Sequence, residues 1–259
     1  MTDTAMTPAA GFSRWQASGM HLLISAAIAV VAFVIILGVW YPPPLFTAEG
    51  GNELLLILIA VDVVIGPLIT LVIFKSGKPG LRFDLTVIAL LRASALVYGC
   101  YVIFVARPVF IALVLDQFET VRANDLDAAD VAQARHPGYQ SLSLSGPQYV
   151  AVDIPSDMKV LKGLIAESQK GGKVVQHLPK YYVPYSDHRE KSLAQSRPVE
   201  TLRKRDASMA KQLEKQIAET GRKASELNYL PLQTRRGWGA VLMDAKTGEI
   251  VKLLPPPNL

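Results

Sequence analysis

The chain has 259 residues, of which half are apolar, and a formal net charge of +5. Its basic residues are interspersed with acidic ones instead of clustering with aromatic residues, so the composition argues against a nucleic-acid-binding protein. The apolar residues are concentrated before residue 107, which predicts a membrane-embedded part followed by a water-soluble part.

The first apolar run, residues 20–41, has no formal charge and is long enough as a helix to cross a bilayer core about 30 Å thick. Trp40 and Tyr41 at its end are typical of the membrane–water interface. The prolines that follow cannot continue a helix, and the run is too long for a cleaved signal peptide. We therefore predict a first transmembrane helix.

Two further apolar runs occupy residues 54–74 and 85–106. The second run contains Asp62 and the pair Gly66-Pro67, and the third contains Arg92. The predicted fold class is a membrane protein with three transmembrane α-helices followed by a small α+β soluble domain.

Basic residues flanking the runs predict the orientation, because lysine and arginine are enriched in cytoplasmic loops. Arg14 precedes the first run, and Lys75, Lys78 and Arg82 lie between the second and third. We expect a cytoplasmic segment at 1–19, a three-span domain at 20–107 and a periplasmic α+β domain at 108–259 in a bacterial inner membrane. The single cysteine, Cys100, does not indicate a compartment.

Asp62 and Arg92 are ionisable residues at membrane depth, which makes them candidates for function. In the structural alternative, Arg92 extends to the lipid headgroups and Asp62 bonds to backbone groups that the Gly66-Pro67 break leaves unpaired. A small transporter or channel subunit that uses Asp62 and Arg92 is the functional alternative. A single acidic residue at depth gives that alternative little support.

The C-terminal part mixes short strands with helices, including predicted helices at 157–168 and 199–227 and a closing hairpin at 238–254. It contains no phosphate-binding glycine loop, nucleophile motif or paired cysteines, so we predict no catalytic residue, cofactor or metal site. The candidate interface residues are aromatic: Trp40, Tyr41, Tyr181, Tyr182 and Tyr185.

Five motifs together resemble the type IV pilin accessory proteins of the TfpX/TfpZ family. They are HLLIS at 21–25, WYP and LF within 40–46, VDVVIGPLIT at 61–70, KPGLRFDL at 78–85 and ARPVF at 106–110. The resemblance implies a non-enzymatic inner-membrane chaperone or modulator of pilus assembly. Its implied partners are the major type IV pilin and the lipid bilayer.

Overall fold

The structure is a computed structural model that describes residues 13–60, 66–73, 79–205 and 207–257. It consists of two compact units. One comprises Met1–Ile36 with Asn52–Ile103, and the other comprises Leu37–Gly51 with Phe104–Leu259. We refer to them as the helical unit and the C-terminal unit.

The helical unit is built from long and short helices. Helix α1 spans Arg14–Ile35 and continues as a π-helical turn over Ile36–Trp40, α3 spans Gly51–Ile59, α4 spans Gly66–Ile73 and α5 spans Leu81–Val105. Ser13 caps α1, because its hydroxyl accepts from the Gln16 N–H while the Gln16 side chain accepts from the Ser13 N–H.

The prediction of three transmembrane helices is wrong. Among the described residues, two helices are long and apolar enough to cross a membrane, Arg14–Trp40 and Phe83–Val105. They indicate that the chain associates with a membrane. Within the described residues, the predicted span at 54–74 contains α3, which covers Gly51–Ile59, and α4, which covers Gly66–Ile73, and neither is among the candidate membrane helices.

The C-terminal unit is built on an eight-stranded mixed sheet. The strands are β1 Pro108–Val114, β2 Gln117–Arg122, β3 Gln148–Val152, β4 Tyr182–Pro184, β5 Arg197–Pro198, β6 Leu227–Thr234, β7 Gly237–Asp244 and β8 Ile250–Leu254. Their order is β4-β3-β1-β2-β6-β7-β8, with β5 paired to β6. The β1–β3 and β2–β6 pairs are parallel and the others antiparallel. The predicted small α+β domain is therefore corrected to a domain organised by one large sheet.

Short helices surround this sheet. They are α2 Leu45–Ala48, α6 Ala128–Val131, α7 Met158–Gln169, α8 Arg189–Gln195, α9 Val199–Arg205 and α10 Ala207–Thr220. The helix predicted over 199–227 corresponds to α9 and α10, of which the latter ends at Thr220, and Leu227 at the predicted end begins β6 instead. The apolar stripe of Leu202, Met209 and Leu213 is buried as the helical spacing indicates.

The core lies on both faces of the sheet. Phe110, Val150 and Tyr182 belong to one apolar cluster, together with residues of the loops after β2. A second cluster contains Ile111 and Leu230, and a third joins α9 and α10 to β6, β7 and β8.

Residues 37–51, which comprise the last four residues of the first candidate membrane helix and the segment after it, are part of the C-terminal unit. Tyr41, Leu45 and Phe46 are buried there, and Leu45 belongs to the second core cluster. This segment therefore contributes to the core of a domain whose remaining residues begin at Phe104.

Candidate functional site

A chain of hydrogen bonds joins three helices of the helical unit. The Arg92 guanidinium contacts Nε2 of His21, and Nδ1 of His21 lies 2.5 Å from Oγ1 of Thr70. The Thr70 hydroxyl donates in turn to the Gly66 carbonyl at 3.2 Å. A neutral His21 with its proton on Nδ1 satisfies both ring contacts, since Nε2 then accepts from Arg92 and Nδ1 donates to Thr70.

Gly66 makes this arrangement possible. A Cβ atom at position 66 would overlap the Arg92 guanidinium, so only glycine leaves space for it there. The next residue, Pro67, offers its carbonyl oxygen to the Ser18 hydroxyl, which donates at 3.0 Å. The structure thus brings together Arg92, Gly66 and Pro67, three of the residues selected from the sequence.

Three members of this cluster were not selected from the sequence: Ser18, His21 and Thr70. The sequence does contain a feature that indicates this polar face. Ser18, His21 and Ser25 are polar residues among apolar ones, and their helical spacing places them on one face of α1. Asp62, the other predicted membrane residue, lies outside the described residues.

A groove of about 560 Å³ lies beside this polar cluster. It is lined by small residues of α1 and α5, among them Ala17, Ser25, Ala29, Ala89 and Ala93, and by His21 and Arg92. A second groove of about 360 Å³ shares Ile28 and Leu96 with it and includes Cys100. Small side chains allow close approach of another helix, which is how helices pack within a bilayer.

In the C-terminal unit, a buried carboxylate attaches residues 37–51 to the sheet. Glu49 is 4% exposed, and the Thr120 hydroxyl of β2 donates to it at 2.7 Å. Desolvation by burial raises the pKa of Glu49, opposed by the Thr120 hydrogen bond and by the positive charge of Arg122. Arg122 itself is held by Asp125 at 2.8 Å.

Tyr41 lies near the same carboxylate. It is 3% exposed, and its pKa is raised mainly by burial and next by the Glu49 charge. Its neighbour Trp40 is half-buried and packs edge-on against Phe104, with ring centroids 5.1 Å apart.

The three other predicted interface tyrosines lie inside the C-terminal unit. Tyr181, Tyr182 and Tyr185 are 8%, 0% and 7% exposed. The Tyr185 hydroxyl donates to the Gly248 carbonyl at 2.7 Å, and the Tyr182 hydroxyl donates to the Gln176 carbonyl. Trp238 is a large aromatic side chain that this unit does expose, at 51%.

Within the described ranges, no group of three or more histidine, cysteine, aspartate or glutamate side chains is arranged to hold a metal ion.

Comparisons with known proteins point to one process. A family model described as fimbrial assembly protein FimB matches residues 10–50, which contain α1 and the segment that carries Glu49. The chain is 26% identical over 230 residues to the fimbrial assembly protein of Dichelobacter nodosus serogroup I, covering 87% of this chain and 89% of the relative. The serogroup E1 protein gives the same identity and coverage.

A third relative is more similar over a shorter length. The fimbrial assembly protein of D. nodosus serogroups C1 and C2 is 32% identical over 119 residues, which are 45% of this chain and 91% of that protein. No solved structure matches the chain.

Proposed function

The chain belongs to the fimbrial assembly protein family and has a role in fimbrial assembly, and from this premise we propose that it is an inner-membrane accessory protein for the major type IV pilin. In this proposal it acts on the pilin before or during assembly as a chaperone or modulator, by binding and not by catalysis. The matched relatives are described as fimbrial assembly proteins and not specifically as TfpX/TfpZ members, so the narrower resemblance remains a prediction.

The groove between α1 and α5 is the observation that favours binding. Pilin subunits wait in the inner membrane as one apolar helix with a periplasmic head, as the resemblance implies. A groove lined by Ala17, Ala29, Ala89 and Ala93 offers such a helix a surface of close approach. Within lipid, packing of this kind replaces the hydrophobic driving force that water would supply.

The orientation that we propose follows from the ends of the two candidate membrane helices. Trp40 and Phe104 are in contact and both belong to the C-terminal unit, so the last residues of both helices are part of that unit. In the sequence, basic residues stand at the opposite ends, with Arg14 at the start of one helix and Lys78 and Arg82 before the other. Since such residues favour the cytoplasmic side, we place these ends in the cytoplasm and the C-terminal unit in the periplasm.

Site-specific photo-crosslinking in the pilus-producing organism tests the proposal. A benzophenone amino acid replaces Ile28, which lines the groove and is 44% exposed, and in a matched strain replaces Val30, which is 62% exposed and does not line the groove. We expect a pilin adduct from position 28 and little from position 30. Equal adducts from both positions, or none from either, would show that the groove does not receive pilin.

Surface piliation tests the biological role separately. Deletion of the gene is expected to reduce the number of pili or the amount of pilin in the inner membrane, and expression of the intact chain is expected to restore them. If deletion changes neither quantity, nor the rate at which pili appear, the accessory role is wrong whatever the crosslinking shows.

A further inference from the structure

An open cleft of about 640 Å³ lies on the sheet of the C-terminal unit, where β6 and β7 form its floor. Tyr229 and Pro231 of β6 share one face of the sheet with Trp238 of β7, as the alternation along each strand and the β6–β7 register require. Leu202 of α9 and Met209 of α10 line the cleft as well and belong to the same apolar cluster as Tyr229. The two helices therefore lie at the Tyr229 end of the cleft, and the β6–β7 turn lies at the other.

Two arginines stand at opposite ends of this cleft. Arg197 pairs with Tyr229 in the β5–β6 register, and Arg236 belongs to the two-residue turn that follows β6. Tyr229 precedes the end of β6 by five residues, so the arginines are separated by roughly 17 Å along the strand. Trp238 lies between them and is 51% exposed, and Asp116 also lines the cleft. A ligand that engages both arginines needs two anionic groups near this spacing, with an apolar part and no further acid between them.

The chain itself contains a segment with this pattern, DIPSD at 153–157. Asp153 and Asp157 are exposed, whereas Ile154 packs against the first core cluster. Pro155 restricts Ile154 to extended backbone, and Asp157 is extended at φ −68° and ψ 113°. Four steps of extended chain place the two aspartates about 13 Å apart. The long arginine side chains cover the remaining difference of about 4 Å.

The segment and the cleft belong to distant parts of the sheet. The segment follows β3 and the cleft lies on β6 and β7, with β1 and β2 between them. The Asp153 N–H donates to the Tyr181 carbonyl at 2.8 Å, and Asp157 caps α7, so the segment is fixed at its own end of the sheet. A contact between this segment and the cleft therefore joins two molecules.

We propose that the cleft of one molecule binds residues 153–157 of a second copy of the chain, with the two aspartates facing Arg197 and Arg236 and with Pro155 lying against Trp238. The two surfaces differ, so the contact is heterologous and continues from copy to copy as a ring or a chain. Charge complementarity favours this occupant over a small soluble anion, which would engage one arginine at a time. The proposal does not depend on pilin binding and holds or fails independently of it.

Sedimentation of the full-length chain in detergent, after expression in a host that makes no pilin, tests the contact. We expect the wild-type chain to pass from monomers to larger species as its concentration rises. Arg197→Gln/Arg236→Gln is expected to weaken this association by about fivefold per ion pair. The matched control, Lys191→Gln/Lys246→Gln, removes the same charge from exposed residues outside the cleft and is expected to associate like the wild type.

A mixing experiment tests the pairing of the two surfaces. Asp153→Asn/Asp157→Asn neutralises the segment while α7 keeps its cap, because asparagine caps helices as well as aspartate does. At a concentration at which neither this variant nor the arginine variant associates alone, we expect their mixture to form a one-to-one dimer. The arginine variant still offers its acidic segment, and the aspartate variant still offers its cleft. A folding defect in either variant would not be repaired by mixing.

Fluorescence of Trp238 identifies the occupant of the cleft. The signal is the difference between the wild-type chain and Trp238→Phe, since Trp15 and Trp40 are common to both. The probes are a synthetic peptide of residues 151–158, the same peptide with both aspartates replaced by asparagine, inorganic phosphate and purified pilin. We expect the signal to saturate at the lowest concentration with the unsubstituted peptide.

Four outcomes would overturn the proposal. In the first, the wild-type chain stays monomeric at all concentrations, and in the second, the arginine variant and its control associate alike. The third is a mixture of the two variants that sediments as they do separately. In the fourth, phosphate or pilin changes the Trp238 signal while the unsubstituted peptide does not, which would assign the cleft to a soluble anion or to another protein.

Discussion

The Thr120 hydroxyl donates a 2.7 Å hydrogen bond to the Glu49 carboxylate across a sequence separation of 71 residues. Both side chains are buried. This bond joins β2 to the segment that follows the first candidate membrane helix, so the attachment of that segment depends on a buried polar pair as well as on the apolar contacts of Leu45.

Removal of the carboxylate is expected to destabilise the C-terminal unit. In Glu49→Ala the Thr120 hydroxyl loses its 2.7 Å acceptor and keeps only the Gln233 carbonyl at 3.4 Å, so we expect the free energy of unfolding to fall by about 1–3 kcal/mol. Thermal unfolding of the detergent-solubilised chain measures the effect. Glu190→Ala, at an exposed position of α8, serves as the control and should unfold like the wild type.

The conservative variant Glu49→Gln gives a pH-dependent prediction. Burial raises the native pKa of Glu49 above the ordinary 4.5, so the native state binds the proton more tightly than the unfolded chain does. The contribution of Glu49 to stability therefore falls as the pH rises from 4.5 through the native pKa. Glutamine does not titrate, so the stability of Glu49→Gln relative to the wild type should increase over that interval. A relative stability that is constant with pH would contradict the prediction.

Tyr185→Phe is expected to lower the free energy of unfolding by about 1–3 kcal/mol. The substitution leaves the buried Gly248 carbonyl without the 2.7 Å hydrogen bond from the tyrosine and removes a 3.0 Å contact with Ser192. Tyr101→Phe is the control, since Tyr101 is 59% exposed. If both variants unfold at the wild-type temperature, the Tyr185 hydroxyl is not important for stability.

Two glycine substitutions should act in opposite directions. A Cβ at Gly239 would overlap the Leu254 carbonyl oxygen of β8, so Gly239→Ala must displace a strand. We expect this substitution to lower the free energy of unfolding by more than about 1–3 kcal/mol. Gly163 in α7 has no atom within 4 Å of such a Cβ, and Gly163→Ala is expected to stabilise its helix by about 0.5–1 kcal/mol. We therefore expect Gly239→Ala to unfold at a lower temperature than the wild type and Gly163→Ala at a higher one. Equal unfolding temperatures for the two variants would contradict the prediction.

Gly66→Ala and Arg92→Gln are expected to have the same functional effect. The alanine Cβ would occupy the position of the Arg92 guanidinium, and a flexible arginine can move away at little cost to folding. Each variant then loses the Arg92–His21 contact, worth about 0.6–2 kcal/mol within a membrane. We predict the same decrease of pilin crosslinking from position 28 in both, with no further decrease in the double variant. Additive decreases would indicate that the two residues act separately.

The sequence alone indicated several local features correctly. A helix was predicted at 157–168, and the structure has one that spans Met158–Gln169; its N-cap is Asp157, whereas the sequence had indicated Ser156 as the cap. The closing hairpin predicted at 238–254 corresponds to β7 and β8. The apolar runs at 20–41 and 85–106 correspond to the two candidate membrane helices. Capping, turn chemistry and hydropathy are properties of neighbouring residues, so the sequence expresses them directly.

The tertiary structure decided which segments belong together. Hydropathy did not show that the run at 54–74 would be absent from the candidate membrane helices of the described residues, because the mean apolarity of a run does not report the length of a helix. Nor did it place Tyr182 in the core or Glu49 beside Thr120, since both depend on strands that pair over long separations. Apolar content is a property of each stretch of chain, whereas burial depends on what the rest of the chain packs against it.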